Sequence, residues 1–316
     1  MDRNDNMLYL IIPCYNEQEV LRDTTEKLLA CIPNISMPTR ILYVDDGSKD
    51  NTWQVIDDLC KKYDKIVGLR LSHNVGQQAA TWAGMESCVK EADALICMDA
   101  DLQDDINVLP KMVRDFQNGC DVVYGVRNDR SSDSRFKRYP AWMFYKLMKS
   151  LGCELIENHS EFRLLSQRAT MALLSYPERN LFVRCMVPML GFNTTNEYYS
   201  RQPRSAGETK YSTVKLIKLA LDGITNFSVR PIRWIQIVGC LCILISFCVI
   251  GWALANYVMN KTNQGWPSLL ISLWFLCGVV LVSIGIIGEY IGKIYTEAKR
   301  RPRYFIMDKT FNALGE

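Results

Sequence analysis

The chain has 316 residues, of which 37 are basic and 34 acidic, so its net charge is only +3. This balance argues against a nucleic-acid-binding protein, in which basic residues dominate. The twelve cysteines are scattered, and none has a spacing typical of zinc sites. We therefore expect reduced and mostly buried thiols. The polar first six residues and the short apolar run behind them do not resemble a signal peptide, which predicts a cytosolic N-terminal region.

The first two thirds of the chain alternate between short apolar runs and amphipathic segments of about a dozen residues. The apolar runs predict strands at residues 9–12, 41–44, 66–71, 94–98, 122–125 and 193–200. The amphipathic segments predict helices at residues 17–30, 52–62, 77–89, 109–118 and 142–151. This alternation indicates an α/β domain with a mostly parallel sheet that carries helices on both faces.

Two carboxylates, Asp99 and Asp101, directly follow the fourth predicted strand. Ligands of open α/β sheets bind beyond the carboxyl ends of the strands, and residues i and i+2 of an extended chain point the same way. Two converging carboxylates suit Mg²⁺ or Mn²⁺, with phosphate oxygens in the remaining positions. The alternative is a turn followed by a helix N-cap, a common use of aspartate.

The nucleotide-binding motifs rich in glycine are missing, since neither GxGxxG nor GxxxxGK[ST] occurs. Carboxylates follow several strands instead, and either Asp45 or Asp46 is placed to hydrogen-bond a base or a ribose. Together with Asp101 holding a metal on a diphosphate, this pattern predicts a nucleotide-diphosphate site.

Two basic segments are candidate loops around an anionic ligand. One covers residues 127–138 and includes Arg127 and Arg135, and the other covers residues 201–211. The first is either a loop that closes over an anion or a solvated surface loop. Between the two segments, Glu161 and Arg163 form a charged pair in apolar surroundings.

Two long apolar segments, residues 235–258 and 269–291, predict transmembrane helices. An amphipathic stretch with two lysines precedes them, which suits the bilayer interface or a helix packed on the soluble domain. Basic residues flank the pair on both outer sides, so the positive-inside rule places both termini in the cytosol. We expect a cytosolic domain over residues 1–212, an interfacial segment over 213–231, a two-helix hairpin over 232–292 and a basic cytosolic tail over 293–316. Glycines in the second span make a homo-oligomer plausible.

Four motifs taken together resemble the family 2 glycosyltransferases of GT-A fold. They are PCYNE at residues 13–17, DDGS at 45–48, NVG at 74–76 and DADLQD at 99–104. With the EFRL motif at residues 161–164, the second basic segment and the two predicted spans, the chain resembles the bacterial polyprenyl-phosphate glycosyltransferases. This bactoprenol glucosyltransferase group is related to the dolichyl-phosphate mannose synthases, and the resemblance covers nearly the whole chain.

The resemblance implies a role for individual residues. The nucleotide sugar would be bound by Pro13, Tyr15, Glu17, Asp46, Asn74, Gln77 and Asp99. Asp99, Asp101 and Gln103 would surround Mg²⁺ or Mn²⁺ and the diphosphate, and Arg127 would approach the donor. Arg135, Arg163, Arg204 and Lys210 would bind acceptor or donor phosphates. The family often has Lys at the position of Gln77, Asp at that of Glu161 and Pro at that of Asp105, which leaves the donor contacts and the placement of the acidic group open.

The implied reaction moves a hexose, glucose in the named group, from a UDP-sugar to undecaprenyl phosphate on the cytosolic leaflet of the bacterial inner membrane, with inversion. Asp101, Glu161 and Arg127 would be the catalytic residues, with Glu161 mainly positioning the substrate and base catalysis as the weaker option. The product would serve the modification of an envelope polysaccharide, with a flippase as a possible partner. The alternatives are a non-catalytic membrane scaffold and a small polysaccharide synthase, although two spans are few for a synthase.

Overall fold

The computed structural model describes residues 6–128, 159–179, 181–200 and 265–311, together with scattered positions between 232 and 259. Within these ranges the chain divides into two compact units. One contains most of the first 211 residues and the segment from Arg301 onward, and the other contains residues 212–300. The predicted helix at 142–151, most of both basic segments and the interfacial segment lie outside the described residues.

The first unit is built on one sheet of eight strands with helices on its faces. In chain order the elements are β1 (Leu8–Cys14), α1 (Leu21–Cys31), β2 (Thr39–Asp45), α2 (Thr52–Lys62), β3 (Ile66–Leu71), α3 (Gln77–Cys88), β4 (Ala94–Cys97), α4 (Leu109–Gln117), β5 (Val122–Arg127), β6 (His159–Ser166), α5 (Gln167–Leu174), α6 (Val183–Met189), β7 (Thr194–Tyr199) and, after the second unit, β8 (Ile306–Lys309). The strand order across the sheet is β7-β5-β6-β4-β1-β2-β3-β8.

The centre of the sheet is parallel, as the sequence predicts. β1 pairs in parallel with both β2 and β4, and β2 pairs in parallel with β3. Both faces of these strands are buried, which explains why they appear in the sequence as continuous apolar runs. Residues of α1, α2 and α4 pack on one face in a single apolar core with alternate residues of the strands, among them Leu10 and Tyr43.

Helix α3 packs on the opposite face and approaches the sheet very closely. A Cβ atom at Gly84 would lie 2.6 Å from Cγ2 of Ile11 and 3.0 Å from Cγ2 of Val44. Any larger residue would therefore push this helix away from β1 and β2. The close approach fixes the start of α3, where Gln77 lies beside the carboxyl ends of the strands.

Strand β6 was not predicted, and it changes the order of the sheet. It lies between β4 and β5 and runs antiparallel to both. Phe162 and Leu164 join the apolar core on one face, while Arg163 pairs in register with Cys97 of β4. Consequently Glu161 and Arg163 flank the end of β4, where Asp99 follows.

Strand β8 lies in the predicted basic tail and pairs antiparallel with β3 at the edge of the sheet. Just before it, Arg303 donates to the backbone carbonyl of Tyr176 over 2.8 Å and to that of Glu178 over 2.6 Å. The Arg303 guanidinium also lies 4.6 Å from the ring centre of Trp82, which is fully buried. The tail thus forms part of the first unit.

The described part of the second unit is dominated by α7 (Trp266–Ala298), a helix of 33 residues. Its segment Phe275–Ala298 is long and apolar enough to cross a membrane, and an 18-residue stretch within it has a mean hydropathy of 2.0. Among the described residues this is the one such helix. The first predicted span, 235–258, is described only at scattered positions, so the two-span topology stays a prediction.

Candidate active site

The carboxyl ends of β1, β2, β3 and β4 meet at one edge of the sheet, because the four strands are parallel and adjacent. The polar segments that follow them are the predicted site motifs. Pro13, Tyr15 and Glu17 lie half-buried at the end of β1, and Asn74 and Gln77 are exposed after β3. The structure therefore brings the predicted nucleotide-binding residues to this edge.

The segments after β1 and β2 are connected by hydrogen bonds from backbone N–H groups to side-chain oxygens. The Asn16 N–H donates to Oγ of Ser48 over 3.0 Å, and the Lys49 N–H donates to Oδ1 of Asn16 over 2.9 Å. The Glu17 N–H donates to Oγ1 of Thr52 over 2.9 Å. Asn16 adopts a positive φ of 54°, which asparagine tolerates better than most residues. These bonds hold the two segments in one fixed conformation.

Asp46 connects the segment after β2 to the one after β3. Its two carboxylate oxygens accept from the backbone N–H groups of Val75, over 2.7 Å, and Gly76, over 2.9 Å. Its side chain is only 2% exposed. Next to it, Gly47 has a φ of +62°, and a Cβ there would lie 2.5 Å from the carbonyl carbon of His73. Asp46 thus shapes the site through the backbone, and its buried carboxylate is already hydrogen-bonded.

Asp45 is fully buried and lies 3.5 Å from Nε of Arg70, which also approaches Asp308 of β8 at 3.6 Å. Burial raises the pKa of the Asp45 carboxyl, while a hydrogen bond from Ser48 and the charge of Arg70 oppose that rise. Asp45 is one of the two carboxylates predicted to hydrogen-bond a base or a ribose. The structure encloses it inside the domain, as it does Asp46.

Asp99 and Asp101 follow β4 in a crowded acidic segment. Nε2 of Gln77 donates to Oδ1 of Asp99, and the Gln103 N–H donates to Oδ1 of Asp101 over 3.3 Å. Leu102, between Asp101 and Gln103, has a positive φ of 48°, which turns the chain sharply. Burial, followed by the charges of Asp104 and Asp101, raises the pKa of Asp99 to about 6, although Arg127 and Arg184 oppose the rise. This segment therefore concentrates three carboxylates beside the end of β4, and the charges of Arg127 and Arg184 partly offset them.

Asp104 anchors a second set of contacts at the same edge. Its carboxylate accepts from the Tyr199 hydroxyl and lies 3.5 Å from Nη2 of Arg127, whose Nε donates to that hydroxyl over 3.2 Å. Burial lowers the pKa of Arg127, but Tyr199 and Asp104 outweigh it and the pKa is raised overall. Arg127 is thus held as a cation at the end of β5, beside the acidic segment.

Glu161 lies between two arginines on the other side of that segment. Nη2 of Arg163 donates to one carboxylate oxygen, and Nε of Arg184 donates to the other over 2.8 Å. Arg163 is 1% exposed, and burial lowers its pKa to about 10. The structure therefore places this predicted phosphate ligand inside the domain, whereas Arg184 reaches the surface.

The acidic segment fits a divalent cation that is shared with a ligand. Among the described residues, no group of three or more His, Cys, Asp or Glu side chains could hold a metal ion. Mg²⁺ in phosphate-binding sites characteristically takes one or two carboxylates and completes its coordination with phosphate oxygens and water. The crowded carboxylates around Asp99 suit such an ion, and burial together with their charges raises the pKa of Asp99. Gln103, the third predicted ligand, is 7% exposed.

The sequence reasoning missed three contributors to this edge: Asp104, Tyr199 and Arg184. Asp104 stands in the predicted motif, but only the fold shows that it pairs with Tyr199 and Arg127. Arg184 carries no motif and comes to the site because α6 packs beside β6 through the contact with Glu161. Arg135, Arg204 and Lys210 lie outside the described residues, so their predicted roles stay predictions.

Comparisons with known proteins agree with this architecture. The family model described as "Glycosyl transferase family 2" matches residues 9–174. A Bacillus subtilis protein named "Uncharacterized glycosyltransferase YkoT" is 43% identical over 99% of this chain and 94% of its own length. The "Bactoprenol glucosyl transferase" of Shigella phage SfX is 38% identical over 95% of this chain and 98% of its own length. A prophage homologue of that transferase from Escherichia coli K12 is 37% identical over 94% and 97%.

Among solved structures, glucosyl-3-phosphoglycerate synthase from Mycobacterium tuberculosis has a TM-score of 0.45 at 13% identity, over 70% of this chain and 78% of that one. That likeness is too distant to support an inference about ligands. The family match covers every strand from β1 to β6, and the mostly parallel α/β sheet is the one expected of a GT-A domain. The chain belongs to glycosyl transferase family 2.

Proposed function

We propose that this protein is a membrane-bound inverting glycosyltransferase that moves glucose from UDP-glucose to a polyprenyl phosphate. The observation that carries the proposal is the 38% identity with a bactoprenol glucosyl transferase across almost the full length of both chains. The site supports it, because an acidic segment that would hold a divalent cation, flanked by arginines, suits a nucleotide diphosphate that meets a second phosphate.

The donor nucleoside is proposed to bind over β1, β2 and β3, against Pro13, Tyr15 and Glu17. The cross-linked segments there would form a rigid surface, since Asp46 holds the backbone at Val75 and Gly76. Asn74 and Gln77 are exposed at the rim, where Nε2 of Gln77 donates to Asp99. Preorganised contacts of this kind reduce the entropy lost when the ligand binds.

Asp99 and Asp101 would hold Mg²⁺ or Mn²⁺, with Gln103 as a further candidate. When bound, such an ion neutralises charge on the departing diphosphate. Arg127, which Asp104 and Tyr199 hold in place, would add a second positive charge near the donor. Both contributions favour departure of UDP, because they act where negative charge develops.

The transfer requires little help from a base. An oxygen of the acceptor phosphate attacks the anomeric carbon of glucose, and the bond from that carbon to the UDP oxygen breaks. The bonding electrons leave with UDP. A phosphate monoester is largely a dianion near pH 7, with a second pKa of about 6, so no proton has to be removed from it. Glu161 therefore fits a positioning role better than base catalysis.

The reaction is proposed to occur on the cytosolic leaflet of the bacterial inner membrane. The apolar segment Phe275–Ala298 supports a membrane attachment, and the positive-inside rule predicts cytosolic termini on both sides of a two-helix hairpin. The product would supply the modification of an envelope polysaccharide. A homo-oligomer and a flippase partner belong to the same proposal.

The test is transfer of labelled sugar from a panel of UDP- and GDP-sugars to undecaprenyl phosphate by the purified full chain with Mg²⁺ or Mn²⁺. We expect label in the lipid fraction from UDP-glucose and not from the GDP-sugars. A nucleotide sugar that binds without transfer to the lipid would contradict the proposal and favour a scaffold. Addition of sugar to a growing polymer instead would indicate a polysaccharide synthase.

A further inference from the structure

The cluster of Glu161, Arg163 and Arg184 carries two positive charges and one negative charge. Each carboxylate oxygen of Glu161 accepts a hydrogen bond from a different arginine, and the side chain is only 15% exposed. Both carboxylate oxygens of Glu161 are therefore occupied by guanidinium donors. The cluster therefore has a net positive charge, at the edge of the sheet that also carries the acidic segment.

Only one of the two arginines can meet a ligand. Arg163 is 1% exposed and lies in register with Cys97 inside the sheet, whereas the side chain of Arg184 is 38% exposed. Nε of Arg184 bonds to Glu161, and a guanidinium has two further nitrogen atoms whose geometry matches a phosphate. The excess charge of the cluster is thus presented through Arg184.

The fold holds Arg184 in place from both sides. Its neighbours Phe182, Val183, Cys185 and Met186 are all buried. The Val183 N–H also donates to Oε1 of Gln78 over 3.2 Å, which ties the start of α6 to the first turn of α3. A side chain on a helix anchored in this way needs little further ordering when a ligand arrives.

The position of Arg184 separates it from the proposed nucleoside surface. Glu161 belongs to β6, which adjoins β4 on the side away from β1, β2 and β3. Glu161 lies two residues from Arg163, the register partner of Cys97, so Arg184 reaches the end of β4 from which Asp99 follows. A phosphate bound to Arg184 would therefore lie beside the reacting end of the donor, opposite the nucleoside.

We propose that Arg184 binds the phosphate of the polyprenyl acceptor, and that Glu161 is the positioning residue that orients Arg184. This inference rests on the proposed function, since it assigns the acceptor subsite of that reaction. It gives Glu161 a role that acts through Arg184 instead of through proton transfer.

The first test compares steady-state kinetics of the full chain with those of the variants Arg184→Gln and Arg184→Lys. Loss of a charge-assisted hydrogen bond should raise the KM for undecaprenyl phosphate at least about tenfold in Arg184→Gln. The KM for UDP-glucose should change less than about twofold, because no donor contact is lost. Arg184→Lys keeps the positive charge but lacks the planar guanidinium. Its KM for undecaprenyl phosphate should therefore lie between those of the wild type and Arg184→Gln.

Arg168→Gln is the matched control. Arg168 also pairs with a carboxylate, that of Asp121, but it lies at the opposite edge of the sheet and 69% of its side chain is exposed. Its acceptor KM should equal that of the wild type. An unchanged acceptor KM in Arg184→Gln, or a rise confined to the KM for UDP-glucose, would overturn the proposal.

The second test uses Glu161→Gln alone and combined with Arg184→Gln. If Glu161 acts through Arg184, the double variant should have the same acceptor KM as Arg184→Gln, because coupled residues are not additive. The dependence of kcat on pH should also keep its shape in Glu161→Gln. A further large fall of kcat in the double variant, together with loss of the acidic limb of the pH profile, would identify Glu161 as a base.

Binding without turnover separates this inference from the proposed function. Undecaprenyl phosphate in detergent micelles, titrated without donor, should bind the wild type at least about tenfold more tightly than Arg184→Gln. Undecaprenol, which lacks the phosphate, should not distinguish the two proteins. Phosphate-dependent binding without glucose transfer would refute the function and leave the inference standing, whereas equal binding by both proteins would refute the inference.

Discussion

The segments after β2 and β4 use their carboxylates in opposite ways. Asp46, after β2, hydrogen-bonds two backbone N–H groups and lies buried. Asp99 and Asp101, after β4, crowd against Asp104, and the pKa of Asp99 rises to about 6, first through burial and then through these neighbouring charges. The first region uses its carboxylate to fix the backbone, whereas the second is the one that we propose to bind a ligand. Under the proposed function, a single edge of the sheet thus combines a structural carboxylate with the reaction centre.

The variant Asp101→Ala is the most direct test of the difference between the two segments. If the acidic segment serves a ligand, the variant should lose at least about 100-fold in glucose transfer while its melting temperature changes little. Transfer of label to the lipid fraction and thermal unfolding of the full chain provide the two readouts.

Asp105→Ala is the control for that variant, since Asp105 belongs to the same segment and caps the turn at Asn107 over 3.0 Å. It should lose about 1 kcal/mol of stability and retain transfer. Glucose transfer at the wild-type level by Asp101→Ala would show that this segment is not the reaction centre.

Asp46→Ala tests whether the carboxylate after β2 acts by fixing the backbone. The change leaves the N–H groups of Val75 and Gly76 without their carboxylate acceptor, which should reduce the free energy of unfolding by about 1–3 kcal/mol. The affinity for UDP should fall as well, because the nucleoside surface loses its fixed shape. Thermal melts and UDP titration measure the two effects, and Asp46→Asn, which keeps one acceptor oxygen, should be milder. An unchanged melting temperature combined with a large loss of UDP affinity would instead make Asp46 a direct ligand.

Arg303→Ala asks whether the scaffold extends to the tail. The variant loses the hydrogen bonds to two backbone carbonyls and the contact with Trp82, so we expect about 1–2 kcal/mol less stability. The value of kcat should remain near that of the wild type. Arg301→Ala, at an exposed position two residues earlier, is the comparison. Equal melting temperatures for the two variants would show that the tail adds nothing to the first unit.

Asp121→Asn probes a carboxylate whose pKa moves in the direction opposite to that of Asp99. Hydrogen bonds from Arg168 lower the pKa of Asp121, so the pair stabilises the fold above the ordinary pKa of about 4 and that stabilisation is lost as pH falls through the lower value. The variant should lose about 1 kcal/mol near pH 7, and its difference from the wild type should shrink below pH 4. Melting temperatures at pH 7, 4 and 3 measure this. A difference in melting temperature between the two proteins that grows as the pH falls would contradict the lowered pKa of Asp121.

The sequence predicted β1 to β5 and β7 within a few residues but missed β6 and β8, for physical reasons. Strands β1 to β4 are buried on both faces, and their apolar runs mark them within a few residues. Strand β6 alternates charged and apolar residues, and a buried Arg163 paired with Glu161 does not resemble a core strand in sequence. Strand β8 has four exposed residues, so backbone pairing with β3 holds it without a hydrophobic signal.

Site residues could be predicted where they stand close together in the sequence. They could not be predicted where the fold brings distant residues together. Asp99 and Asp101 form a local motif at the end of a strand. The bonds from Val75 and Gly76 to Asp46 span about thirty residues, and Arg184 meets Glu161 across 23 residues and two elements. Neither pairing leaves a local trace in the sequence.

The central claim is that the segment after β4 binds a divalent cation together with the donor diphosphate. The most direct measurement is a titration of the purified full chain with UDP, with and without Mn²⁺, repeated on Asp101→Ala. We predict that Mn²⁺ tightens UDP binding to the wild type at least about tenfold and has little effect on the variant. Equal UDP affinity with and without Mn²⁺ in the wild type would contradict the claim.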